Sequence, residues 1–140
     1  QEHETLDPAQ TMLEAIRLGG IMGESNAVAF AAKFLFSYRQ TAQKVVELSG
    51  GERSRLQLAL IMLSYANFLL LDEPTNNLDI ASAEVLEDAL AEFEGTALII
   101  SHDRYFLDQV VDRVLVLEGG SVVSHSGGYS DYLAGSRRST

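Results

Sequence analysis

Two adjacent carboxylates, Asp72 and Glu73, stand at the end of the apolar run Phe68-Leu69-Leu70-Leu71. Pro74 follows; it has no N–H to give a strand ladder, so the run stops there. A continuous apolar stretch of this length suits a strand buried on both faces of a parallel sheet. Ligands of open α/β sheets gather beyond the carboxyl ends of the strands, where these two acids would lie. A core strand that merely ends in two solvated acids fits the same residues. Ser49-Gly50-Gly51-Glu52 also has two readings. As a capping box, the Ser49 hydroxyl and the Glu52 carboxylate satisfy free N–H groups of the helix that follows. As a binding turn, two glycines let a phosphate approach the backbone at a helix N-terminus, where the dipole favours negative charge. His102 follows a second apolar run, Ala97–Ile100. A lone histidine after a strand is commonly a surface residue, but beside two acids it gains a role in sensing phosphate.

Strand, helix and strand must bring these groups together. Ala81–Phe93 reads as a helix with Val85, Leu86, Ala89, Leu90 and Phe93 inward, and Gly95 ends it. The resulting βαβ unit puts Asp72, Glu73 and His102 at one edge of the sheet. Upstream, Asp7-Pro8 is a helix start, with Met12, Leu13, Ile16 and Leu18 as its apolar stripe and Gly19-Gly20 as its stop. A second helix is expected from about Ser25 to Ser37, with Val28, Phe30, Ala31, Phe34 and Leu35 on its apolar side. Arg39–Lys44 reads as a polar loop, and Arg53–Leu63 as the helix behind the Ser49 turn, with Leu56, Leu60 and Leu63 on one face. Downstream come a short helix over Asp103–Val111, a strand over Val114–Leu117, a Gly119-Gly120 turn and a second strand over Ser121–Ser124. Tyr129 and Tyr132 suit the packing of a terminal turn and equally well a family resemblance at the chain's end, and Ser136–Thr140 reads as a small basic tail. His3 and His125 read as surface histidines.

At 140 residues with 46% apolar content, the chain is the size of one domain with a real core. Its formal net charge of −10 repels phosphate backbones, which argues against nucleic-acid binding by bulk electrostatics. The absence of cysteine excludes a disulfide framework and thiolate chemistry and agrees with a cytoplasmic setting. No apolar stretch reaches the roughly 18–20 residues of a membrane helix. Gln1-Glu2-His3-Glu4 is too polar for a secretory signal and reads as the middle of a longer chain.

Phe68–Glu73 resembles the Walker B segment of an ATP-binding cassette (ABC) ATPase. Leu48-Ser49-Gly50-Gly51-Glu52 resembles that family's signature motif, Asn76–Asp79 its D-loop and Ser101-His102-Asp103 its switch-histidine segment. The wording Glu-Pro-Thr-Asn-Asn-Leu-Asp and Ser-His-Asp-Arg-Tyr-Phe-Leu-Asp is similar to the ABC-F branch, which acts on ribosomes in translation and includes antibiotic-resistance proteins. That branch more often has His where this chain has Asn77. The resemblance implies an α/β fold, a P-loop NTPase-like and mostly parallel sheet with a small α-helical subdomain. It divides the chain into a Q-loop and helical subdomain over 1–47, a signature helix and α/β core over 48–135, and a tail over 136–140.

The resemblance also implies roles. Asp72 would hold Mg²⁺ through water, since Mg²⁺ prefers hard oxygen ligands and keeps part of its hydration shell. Glu73 would polarise the attacking water as general base, and His102 would hydrogen-bond the γ-phosphate of ATP. Gln1 falls where the family has its Q-loop glutamine and would help order water and metal. Ser49, Gly50, Gly51 and Glu52 would complete the nucleotide site of a second cassette, with Asp79 lining the interface. No Gly-x-x-x-x-Gly-Lys-Ser/Thr loop occurs, nor any Gly-Lys pair. In the family that Walker A segment precedes the Q-loop, so the chain is expected to be the later part of a cassette, half an active site as it stands. Two other functions share these residues: the ATPase subunit of a membrane transporter, and a non-catalytic module that binds a partner through the signature face.

Overall fold

The computed structural model describes residues Leu6–Arg137. Within it the chain forms two compact units: residues up to Leu69 together with Asn76–Thr96, and Leu70–Thr75 together with the residues from Ala97 onward.

The first unit is helical: α1 (Met12–Gly20), α2 (Glu24–Lys33), α3 (Tyr38–Thr41), a 3₁₀ turn (Val45–Glu47), α4 (Gly50–Leu63) and α5 (Ile80–Glu92). Met12, Ile16, Ala31, Phe36, Leu56 and Ala59 meet in its core. The helix expected from Asp7-Pro8 starts later. Asp7 instead accepts from the Ala9 N–H at 2.9 Å and makes a turn. Thr11 is the cap, because Glu14 reciprocates it: the Glu14 N–H donates to Thr11 Oγ1 at 3.2 Å and the Thr11 N–H to Glu14 Oε2 at 3.1 Å. Leu18 does not join the stripe and is 74% exposed, since two residues beyond Ile16 lies on the far side of a 3.6-residue turn. The second helix ends at Lys33, short of Ser37. Leu35 adopts a left-handed φ of 64°, which turns it outward while Phe34 and Phe36 tuck in. Part of the expected 39–44 loop is helical, because Ser37 and Gln40 form a capping box that starts α3.

The second unit is built on strands. Of β1 (Phe68–Asp72), the part from Leu70 onward belongs here, with β2 (Thr96–Ile100) from Ala97, α6 (Arg104–Val110), β3 (Arg113–Glu118), β4 (Ser121–Ser126) and α7 (Tyr129–Ser136). β1 and β2 pair in parallel: the Thr96 N–H donates to the Asn67 carbonyl at 2.9 Å at one end, and the Glu73 N–H to the Ile100 carbonyl at 2.7 Å at the other. β3 and β4 form an antiparallel hairpin with Val116 opposite Val123. Its turn needs φ of 54° at Gly119 and 79° at Gly120, which glycine takes without a Cβ clash. Phe106 of α6 is 1% exposed.

The strands are not buried on both faces as expected. Leu69 and Leu71 are buried, but Leu70 is 63% exposed, and no residue of β2 is buried. Alternate residues of a strand face opposite ways, and among the described residues nothing covers the second face. His125 also departs from the expected bare surface histidine: its ring lies 4.9 Å from that of Tyr132, which in turn lies 5.9 Å from Tyr129. Asp108 of α6 clasps the start of α7, accepting from the Ser130 N–H at 2.7 Å and the Ser130 hydroxyl at 2.5 Å. The hydroxyl bond, then the backbone bond, hold the Asp108 carboxyl below its ordinary range. Ser136 ends α7, with its hydroxyl donating to the Leu133 carbonyl at 3.0 Å.

Candidate functional site

In the second unit, β1 ends at Asp72 and β2 at Ile100, and parallel pairing sets Glu73 beside the turn after β2. The His102 backbone N–H donates to Glu73 Oε2 at 3.3 Å, and the His102 ring nitrogen Nδ1 pairs with Glu73 Oε1. The His102 side chain is 94% exposed and that of Glu73 23%. Glu73 is thus a half-sheltered carboxylate carrying an imidazole that reaches into solvent. Its backbone lies at φ 48°, a region unfavourable for a residue with a Cβ. Strain of this kind persists where the surroundings impose it, here through the Glu73 N–H bond to Ile100. Asp72, next to it, is exposed.

Among the described residues no cluster of three or more His, Cys, Asp or Glu could enclose a metal. A single exposed carboxylate fits a cation that keeps most of its water, which is the behaviour of Mg²⁺. The pair beside it has the composition of a proton-handling site: a carboxylate able to accept a proton and an imidazole able to share it.

In the first unit, Ser49 is the N-cap of α4 and its hydroxyl accepts from the Glu52 N–H at 3.2 Å. Only this half of the expected capping box forms. Among the described residues Glu52 makes no return bond to the Ser49 N–H, and its carboxylate instead lines a pocket of about 380 Å³. Gly51, Arg55, Asn77 and Asp79 line it too. A Cβ on Gly51 would come 3.1 Å from the Asn77 carbonyl, so the close approach of turn and loop requires glycine there. Among the described residues, a Cβ on Gly50 would meet nothing within 4 Å. The chain's own packing therefore gives no reason for Gly50, whereas a ligand brought against the backbone does. With the first N–H groups of α4 beside it, this turn fits the oxygens of a phosphate.

Asp79 is the N-cap of α5 and accepts from the Ser82 N–H at 2.8 Å. The Ser82 hydroxyl, then its backbone N–H, hold the Asp79 carboxyl below its ordinary range, with the Arg55 charge adding to them. Reasoning from sequence singled out Asp79 and missed Arg55. The signal was present, since Arg55 lies four residues after Gly51 and three after Glu52, on the same face of α4. Asp72, Glu73 and His102 lie together in the second unit, and Ser49, Gly50, Gly51, Glu52 and Asp79 in the first. Gln1 lies outside the described residues.

Residues 1–76 match the family model described as ABC transporter. The chain is 40% identical over 138 residues to the energy-dependent translational throttle protein EttA of Haemophilus influenzae, covering 94% of this chain and 25% of that protein. It is 40% identical over 140 residues to ABC transporter F family member 5 of Arabidopsis thaliana, covering 93% of this chain and 19% of that one. Among solved structures, a post-hydrolysis dimer of the ATP-binding cassette MJ0796 bound to ADP and Pi matches with a TM-score of 0.70 and 25% identity. That match covers 87% of this chain and 59% of that chain. The chain thus spans between 15% and 25% of the length of the curated relatives it matches. No helix among the described residues is long and apolar enough to cross a membrane.

Proposed function

Since the chain belongs to the ABC transporter family of ATP-binding domains, on its ABC-F branch, we propose that it is the later part of a cassette that binds and hydrolyses ATP. The observation that carries this reading is the Glu73–His102 pair, formed at the strand ends where the family keeps its hydrolytic groups. In the intact cassette, Glu73 takes the proton of the attacking water, while His102 holds the terminal phosphate and steadies the Glu73 carboxylate. Asp72 would hold Mg²⁺ through water, and the ion would supply charge neutralisation for the phosphates. Gln1 would help order that water. The glycines of the Ser49 turn receive the phosphate of a nucleotide carried by a second cassette; that the MJ0796 cassette is dimeric and bound to ADP and Pi supports this reading.

The EttA relative is named for throttling translation, which supports a ribosomal partner and a cytoplasmic site of action for the parent protein. The domain plan carries over in this reading: 1–47 as Q-loop and helical subdomain, 48–135 as signature helix and catalytic core, 136–140 as tail. The Walker A segment comes from the remainder of the cassette.

The test is Ser49→Arg in the full parent protein. A guanidinium on this turn blocks the phosphate of the partner cassette but leaves the protein's own nucleotide pocket formed. Hydrolysis should fall by about 10²–10³-fold, as when one stabilising donor is lost, with equilibrium ATP binding at the intact pocket retained. Unchanged turnover would remove the signature assignment.

A further inference from the structure

We propose that Arg55 is a positioning residue that locks the phosphate-receiving turn Ser49–Glu52 to the Asn76–Asp79 loop, so that the two move as one body. Its guanidinium is held on two sides within the first unit. On one it lies 4.4 Å from the ring centroid of Phe36, itself buried in the core at 2% exposure. On another, Nη1 donates to the Ser82 hydroxyl at 3.3 Å. Beyond Ser82 lies the charge of Asp79, whose carboxylate receives the Ser82 hydroxyl and N–H. Arg55, Ser82 and Asp79 thus form one polar chain, with every donor pointing toward the carboxylate. Nε is buried and has no hydrogen-bond partner among the described residues, so the head group is fixed by stacking and this chain, with little solvent to exchange into.

The geometry has a mechanical consequence. Arg55 stands on the same helix as the Ser49 turn, and Asp79 caps the helix that follows the Asn76–Asp79 loop. The Gly51 approach to the Asn77 carbonyl leaves no slack between turn and loop. A shift of the loop therefore pulls on the turn through a planar, preorganised head group, and a shift of the turn pulls on the loop. This role rests on the reading of the Ser49 turn as a phosphate site for its link to turnover. The coupling itself does not depend on that reading.

Arg55→Met keeps the aliphatic volume and removes both the stacking charge and the donors. Amide hydrogen exchange on the 140-residue chain should then speed up at residues 49–52 and 76–79 together, with α1 unchanged. Ser82→Ala should reproduce the effect, and the double variant should add little to it. In the full parent protein, kcat for ATP should fall about tenfold to a hundredfold, with KM moving less than about threefold. Faster exchange in only one of the two segments, or additive effects in the double variant, would overturn the coupling. If Arg55→Met unfolds the chain, Ser82→Ala decides, and unchanged exchange at 76–79 in that variant would overturn the proposal. A parent that never hydrolyses ATP would sink the phosphate reading alone, because the exchange result stands without it.

Discussion

The residue scale is where the chemistry is most exposed to test. Glu73 sits in a left-handed backbone conformation with one carboxylate oxygen engaged by His102 and the other by the His102 N–H. In the full parent protein, Glu73→Gln should keep the shape and the bond from the backbone but lose the ability to take a proton from water. Turnover should drop by about 10²–10⁴-fold while ATP binding persists; turnover within a few-fold of wild type would mean another group is the base. Asp108 makes a different prediction. Its ordinary value is 3.8 and the folded one lies below it, so the clasp on Ser130 contributes stability above the unfolded value and loses it as pH falls through the folded one. Asp108→Asn should therefore lower stability near neutral pH and flatten the acid side of the stability profile. Melting temperatures followed from pH 7 downward would show it, and parallel curves for the two proteins would refute it.

Among the elements, α1 and α6 each anchor their unit through fully buried side chains, Ile16 with Met12 in α1 and Phe106 in α6. Met12 and Phe106 are 0% and 1% exposed. Met12→Ala should cost about 2–5 kcal/mol and Phe106→Ala about 3–5 kcal/mol, a large share of a margin of about 5–15 kcal/mol. Denaturant titrations would measure both, and a loss below about 1 kcal/mol at either site would show that the core collapses around the gap. Elements of this kind were legible in the sequence where one strong local signal acted alone. The strands read from the apolar runs at 68–71 and 97–100, the turn read from Gly119-Gly120 and the helix read from the spacing of Leu56, Leu60 and Leu63 all lie where expected. The start of α1 was misplaced because two capping signals, Asp7-Pro8 and Thr11-Glu14, compete within one turn, and only geometry shows which is reciprocated. The early end of α2 was hidden for a similar reason, since a left-handed Leu35 has no signature in its residue type. At the site, Glu73 and His102 were legible as a pair because parallel strands must end together. Arg55 was legible only in part: its spacing from Gly51 and Glu52 puts it on their face of α4, but its partners, Phe36 and Ser82, are distant in sequence.

For the molecule as a whole, the decisive feature is apolar surface left open. Leu70, Ile100, Leu115 and Leu117 are between 49% and 82% exposed, and each two-stranded sheet has free edges. Open edges with apolar faces pair with other chains. The 140-residue chain should therefore self-associate in a concentration-dependent way in sedimentation velocity, whereas a chain that also carries the expected Walker A segment should not. A monodisperse monomer with a cooperative melt at high temperature would contradict this. The same chain should release no phosphate from ATP above buffer, lacking a loop to cradle it. Release that disappears on Glu73→Ala would contradict that.

The interleaving of the two units also sets an order of events during synthesis. Leu70–Thr75 leaves the ribosome before Asn76–Thr96, yet its unit resumes only at Ala97. At about 5–20 residues per second, β1 waits roughly 1–5 s for the strand it pairs with. By the time Thr96 has emerged, every residue of the helical unit has been made, while Leu70–Thr75 still lacks the rest of its unit. Slow codons placed between these two points would lengthen that interval and lower the yield of correctly paired chain. Silent changes placed after Ser126 would leave it untouched.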